Sequence, residues 1–257
     1  MNFGMKQKLI WSAQLLLAAL CALALKFYYS TATPDELRWI LAPATLLVEL
    51  LSGEQFEFES YAGYMSSDRR FVIAVPCAGV NFLIAAFLML ALRRLWRERF
   101  RSAGWTMIPF SAGLAYVATL AANTARIWLA LEMRARSVEV SGLTNNQLHR
   151  IEGIVVYFGF LLLLFLVVER VESAKRFESA RLFVSARPLR LTRVLAFPVL
   201  IYYAVTLGIP LANGSFRQGS AFWEHSLFVL VLPVLFVAPL AAWHGWRRVS
   251  QNRRLLP

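Results

Sequence analysis

Three residues in this sequence carry side chains suited to acyl transfer, and each sits where an apolar segment meets polar sequence. Cys77 follows Pro76 at the start of an apolar run. Proline is favoured in the first turn of a helix, where its missing N–H is harmless. A helix Ala78–Leu92 would turn unpaired N–H groups and its positive dipole end toward the sulfur, favouring thiolate. The other reading of such a cysteine is a small buried apolar residue. Arg126 stands in Ala122-Asn123-Thr124-Ala125-Arg126-Ile127-Trp128, where an arginine faces a cavity or a partner, or else snorkels to the headgroups. Asn123, three residues earlier, shares its helix face. His149 lies in Leu148-His149-Arg150-Ile151-Glu152-Gly153, and histidine is the side chain suited to proton transfer near neutrality. Glu152 either orients the imidazole or caps a helix. As a set, Cys77 would attack a peptide carbonyl and His149 would protonate the leaving amine. Arg126 would stabilise the developing oxyanion or hold the peptide.

These residues need a scaffold, and the hydrophobic pattern supplies one. The 257 residues are 58% hydrophobic, above the roughly 45–50% of soluble domains. The excess falls in blocks at Leu9–Leu25, Val75–Leu92, Trp105–Ala122, Gly153–Val168, Val194–Ala212 and Ser226–Trp243, each about 16–19 residues without a charge. A bilayer core of about 30 Å takes about 20 mainly apolar residues as a helix. Backbone crossing lipid must bond to itself, so the spans are expected as helices. The expected fold is therefore an all-α integral membrane protein, a polytopic bundle of about six spanning helices forming one domain over residues 1–257.

Charge orients that bundle. The net charge of +12 is gathered between the blocks: Arg93, Arg94, Arg97, Arg99 and Arg101; then Arg170, Lys175, Arg176, Arg181, Arg187, Arg190 and Arg193. Arg247, Arg248, Arg253 and Arg254 close the chain, and Lys6 and Lys8 open it. With alternating crossings all of these fall on one side, which the positive-inside rule makes cytoplasmic. Anionic headgroups account for the clusters, so membrane lipids are expected partners and nucleic acid is not. Two cysteines, Cys21 and Cys77, make no disulfide framework. The first block, lacking a small-residue cleavage site, reads as a retained anchor. Three histidines at separate depths give no zinc site, and no phosphate-binding glycine loop appears, so no cofactor is expected.

The topology leaves Pro34–Leu51 as a helix lying on or dipping into the outer interface, with a full crossing as the alternative. Gln55–Tyr61 alternates polar and apolar residues, and Phe71–Val75 follows a Ser-Ser-Asp turn. This reads as a small external β-hairpin delivering Pro76 and Cys77 to the membrane surface. Cys77 begins the second span, Arg126 lies near the end of the third and His149 begins the fourth. All three are then expected at the extracytoplasmic face. His225 beside Glu224 reads as structural, and His244 belongs to the opposite side.

At these residues the chain resembles the exosortase/archaeosortase family of membrane transpeptidases. The likeness rests on Cys77-Ala78-Gly79, Asn123-Thr124-Ala125-Arg126 and His149-Arg150-Ile151-Glu152-Gly153, in that order, and runs from Pro34 to about Val168. The Pro76–Phe82 sequence is most similar to the exosortase K branch. Ala78 and Asn81 depart from many relatives, which carry serine and a basic residue there. The resemblance implies a Cys77–Arg126–His149 catalytic set in a bacterial cytoplasmic membrane. It also implies exported substrates with a C-terminal motif, a transmembrane helix and a basic tail. Two other readings of the residues stay open: a transporter or channel whose Arg126 binds an anionic solute, and a non-catalytic subunit of an envelope assembly.

Overall fold

The computed structural model describes residues 3–97, 104–136, 142–179, 191–214, 217 and 219–253. Among them, six helices are long and apolar enough to cross a membrane: Met5–Thr31, Val75–Arg97, Met107–Ala135, Gln147–Ser173, Leu195–Ala212 and Phe222–Pro239. Each covers most of one expected block. With a small three-stranded sheet, this is the architecture of a polytopic helical membrane protein. Arg99, Arg101, Arg181, Arg187, Arg190 and Arg254 of the basic clusters lie outside the described residues. For Lys175, Arg176, Arg193, His244, Arg247, Arg248 and Arg253 only the backbone is described.

The chain falls into two compact units, Met1–Leu161 and Leu162–Pro257. In the first, α1 (Phe3–Thr31) runs antiparallel to α3 (Val80–Arg97). Trp11 Nε1 donates to the Leu95 carbonyl at 3.0 Å near one end, and Lys26 Nζ donates to Asn81 Oδ1 at 2.8 Å near the other. On α1 the small Ala18 and Ala22 are buried, while Leu16, Leu20, Leu23 and Phe27 point outward. Small residues between helices and large apolar ones outside is the pattern of a helix packed in lipid.

Between these two helices in chain order comes α2 (Arg38–Ser52), which buries Ile40, Leu41, Ala44 and Val48 and packs along α4 (Met107–Ala135). Before it, Thr33 donates its N–H and hydroxyl to Glu36 Oε2 at 2.7 and 2.9 Å, and these bonds hold the Glu36 carboxyl below the usual carboxylate range. The expected interfacial helix over Pro34–Leu51 thus begins four residues later. Its 15 residues extend about 22 Å at 1.5 Å per residue, too short for a crossing. It is also pinned to its neighbour. Trp39 stacks on Tyr116 with ring centroids 5.9 Å apart, and the Tyr116 hydroxyl donates to the Trp39 carbonyl at 2.7 Å.

From α2 the chain enters an antiparallel meander of β1 (Phe56–Glu59), β2 (Gly63–Ser66) and β3 (Val72–Ile73), with Glu57 opposite Met65 and Tyr64 opposite Ile73. This corrects the expected two-stranded hairpin by adding a middle strand. Gly63, at φ 112°, makes it possible, because a Cβ there would collide with the Ile73 carbonyl. The short stretch Gly63–Ser66 carries no alternation strong enough to read as a strand. The Ser-Ser-Asp turn does form: Ser66 Oγ donates to Asp68 Oδ1 at 2.6 Å and the Arg70 N–H to the same oxygen at 3.0 Å.

A second correction concerns Cys77. The sequence places it at the mouth of a continuous helix Ala78–Leu92. In the structure Val75–Ala78 is a separate 3-10 turn, Gly79 adopts φ 71°, and α3 starts at Val80. Proline fixes the turn's φ and the left-handed glycine redirects the axis, so the sulfur does not stand in the first turn of α3.

In the second unit, α6 (Leu191–Tyr203) passes through a π-helical turn at Ala204–Gly208 into α7 (Ile209–Ala212). The long α8 (Ser220–Arg253) follows, after the fourth spanning helix α5 (Asn145–Ser179) has entered this unit. Tyr203 donates its hydroxyl to the Leu230 carbonyl at 2.7 Å.

Candidate active site

The turn that carries Cys77 is held on three sides. Cys77 donates its own N–H to the Ala74 carbonyl at 2.8 Å, closing the turn. From α1 the Tyr29 hydroxyl reaches the Val75 carbonyl at 3.4 Å. From α4, fully buried Asn123 donates Nδ2 to the Cys77 carbonyl at 2.5 Å. Gly79 is what lets α4 come so close. A Cβ at this position would lie 3.3 Å from the Asn123 side chain and 3.3 Å from the Thr119 methyl, on top of the strain of its positive φ.

One turn beyond Asn123, Arg126 extends toward α5. Its Nη1 donates to the Tyr157 hydroxyl at 3.2 Å and its Nη2 lies 2.9 Å from His149 Nε2. Guanidinium carries donors only, so Nε2 must be the acceptor. The proton of the neutral imidazole is then on Nδ1, which sits 3.1 Å from Glu152 Oε2. That carboxylate is buried, its side chain 4% exposed, whereas the His149 side chain is 51% exposed. Of the two roles open to Glu152, the geometry is that of orienting the ring. Gly153 clears space for the arginine, since a Cβ there would lie 3.1 Å from Arg126 Nε.

Tyr157 closes the arrangement. Its hydroxyl accepts from Arg126 and donates to Asn123 Oδ1 at 2.8 Å. Both ends of the Asn123 amide are thereby used. A continuous path runs from the Cys77 carbonyl through Asn123, Tyr157 and Arg126 to His149 and Glu152. The five residues singled out from sequence therefore meet in the first unit. Asn123 serves the Cys77 turn rather than the Arg126 charge, and Arg126 turns inward to Tyr157 and His149 instead of snorkelling.

Sequence reasoning missed Tyr157 and Tyr29. The signal for Tyr157 was legible: His149, Gly153 and Tyr157 recur every four residues, one stripe of α5, and that stripe faces Arg126. Tyr29 gave none, because an aromatic near a helix end is ordinary in a membrane protein.

Fold and site together define a polytopic membrane protein with a cysteine, an arginine and a histidine linked at one end of its helices. Comparison with protein-family models, curated proteins and solved structures gave no match.

Proposed function

We propose that this chain is a membrane-embedded cysteine protease or transpeptidase of the exosortase type. Its substrates are exported proteins ending in a short motif, a transmembrane helix and a basic tail. His149 Nε2 takes the proton of the Cys77 thiol, the sulfur attacks the scissile carbonyl, and a C–S bond forms as the C–N bond breaks, the amine leaving with that proton returned by His149. Arg126 stabilises the charge on the carbonyl oxygen. Water or an acceptor amine then resolves the thioester, giving hydrolysis or transpeptidation. The observation that carries this reading is the unbroken hydrogen-bond path joining the Cys77 turn to Arg126, His149 and Glu152. Such a path fixes a nucleophile's backbone, a cation and an oriented imidazole relative to one another.

Placement in a bacterial cytoplasmic membrane, with the site facing away from the cytoplasm, is part of the proposal. It is supported by Arg94 and Arg97, which stand in the last turn of α3, at the end opposite the Cys77 turn.

The rival with a specific observation in its favour is an anion transporter, since Arg126 Nε is buried without a hydrogen-bond partner. Cys77→Ala separates the two. In cells carrying it, an uncleaved precursor with its C-terminal helix and basic tail should accumulate. Normal processing in that strain would remove Cys77 from the mechanism.

A further inference from the structure

Acyl transfer through Cys77, Arg126 and His149 leaves Tyr157 without a role, although the site is built around it. Its ring stacks on Phe82 of α3, with centroids 5.3 Å apart and planes 24° apart, and Phe82 is itself buried. The Arg126 carbon Cζ lies 5.3 Å from the centre of that same ring. An arginine side chain has several rotatable bonds, and only its contacts decide where its charge rests. Here Nε has no hydrogen-bond partner, and Nη2 meets His149, which is half exposed. Nη1 alone meets a group held by a stacked ring. That hydroxyl also donates to Asn123 Oδ1, and Asn123 Nδ2 grips the carbonyl of Cys77.

We propose that Tyr157 is a positioning residue that sets the distance between the Arg126 charge and the turn carrying the Cys77 sulfur, its phenolic oxygen holding the guanidinium directly and the turn through Asn123. The inference rests on the reading of Arg126 as the cationic partner of a nucleophilic Cys77. Tyr157→Phe isolates the effect, because it keeps the ring and its stack on Phe82 while removing both hydrogen bonds.

The experiment needs no substrate. In the full-length Cys21→Ala protein, purified in detergent, Cys77 is modified by anionic 2-sulfonatoethyl and by cationic 2-(trimethylammonio)ethyl methanethiosulfonate. A fixed positive charge beside the thiol speeds the first relative to the second. Tyr157→Phe should lower that rate ratio about threefold to tenfold, the effect of shifting a unit charge by an ångström or two at an effective dielectric near 20. The thermal unfolding midpoint should stay close to that of the parent. Arg126→Gln should collapse the ratio toward that of a free thiol. An unchanged ratio in Tyr157→Phe, alongside collapse in Arg126→Gln, overturns the positioning role alone. A ratio that Arg126→Gln also leaves unmoved overturns the reading of the site beneath it.

Discussion

Arg126 and His149 face each other at 2.9 Å, guanidinium nitrogen to imidazole Nε2, and the donor can only be the arginine. Two consequences follow for the chemistry. The histidine is held as the tautomer with its proton on Nδ1, directed at Glu152. In the acyl transfer proposed above, a substrate carbonyl carrying developing charge would draw the guanidinium away from Nε2, so that binding the transition state and freeing the base would be one event.

Glu152→Gln tests the orienting role. Glutamine can still accept the Nδ1 proton's hydrogen bond, but it cannot stabilise an imidazolium. Processing should slow by about 10²-fold, within the range assigned to a positioned general acid–base. Precursor processing followed by pulse-chase gives the rate. Wild-type kinetics in the variant would remove the orienting role from Glu152.

Gly153→Ala separates site geometry from stability. In an ordinary helix this change stabilises by about 1 kcal/mol, yet here the new methyl would lie 3.1 Å from Arg126 Nε. The expected result is a thermal midpoint equal to or above wild type, with processing lowered about tenfold or more, as expected when a catalytic group is displaced by a fraction of an ångström. Loss of both together would mark Gly153 as a packing residue without a link to Arg126.

Asp68 gives a pH dependence outside the membrane segments. The Ser66 hydroxyl bond, then the Arg70 N–H, hold its carboxyl below the usual range. The group thus binds a proton less readily in the folded chain than in the unfolded one. Its contribution to the turn is present above the unfolded carboxyl range and is lost as pH falls through the depressed value. Hydrogen-exchange protection of the Arg70 amide, corrected for intrinsic rate, should persist through the ordinary aspartate range and drop only below it. In Asp68→Asn the drop should be absent. A decline centred on the ordinary aspartate range would contradict this.

Much of the molecule could be read from residue order because lipid imposes a simple rule on the backbone. Six apolar blocks became six helices since each had length enough and no charge inside. The same rule says nothing about where a helix axis breaks, and this is why the Cys77 turn was misread. Pro76 and Gly79 act within four residues, and a hydropathy pattern spanning eighteen does not resolve them. The middle strand of the sheet escaped for a related reason, its partner being set by one glycine conformation at Gly63. At the site, Arg126 stood out as a charge in apolar surroundings and His149 as a titratable side chain at the entry to an apolar span. Tyr157 did not, because a tyrosine among aliphatic residues looks like core until its hydroxyl is seen between Arg126 and Asn123.

The central claim is covalent: Cys77 carries the acyl group. Membranes containing the active protein and its substrate, quenched in acid and digested, can be mapped by mass spectrometry at the peptide bearing Cys77. The account predicts a peptidyl thioester on that sulfur, discharged by hydroxylamine and missing from Cys77→Ala membranes, where the precursor stays intact. A Cys77 that is always unmodified, in a strain whose precursor is cleaved equally well with alanine in its place, would contradict it.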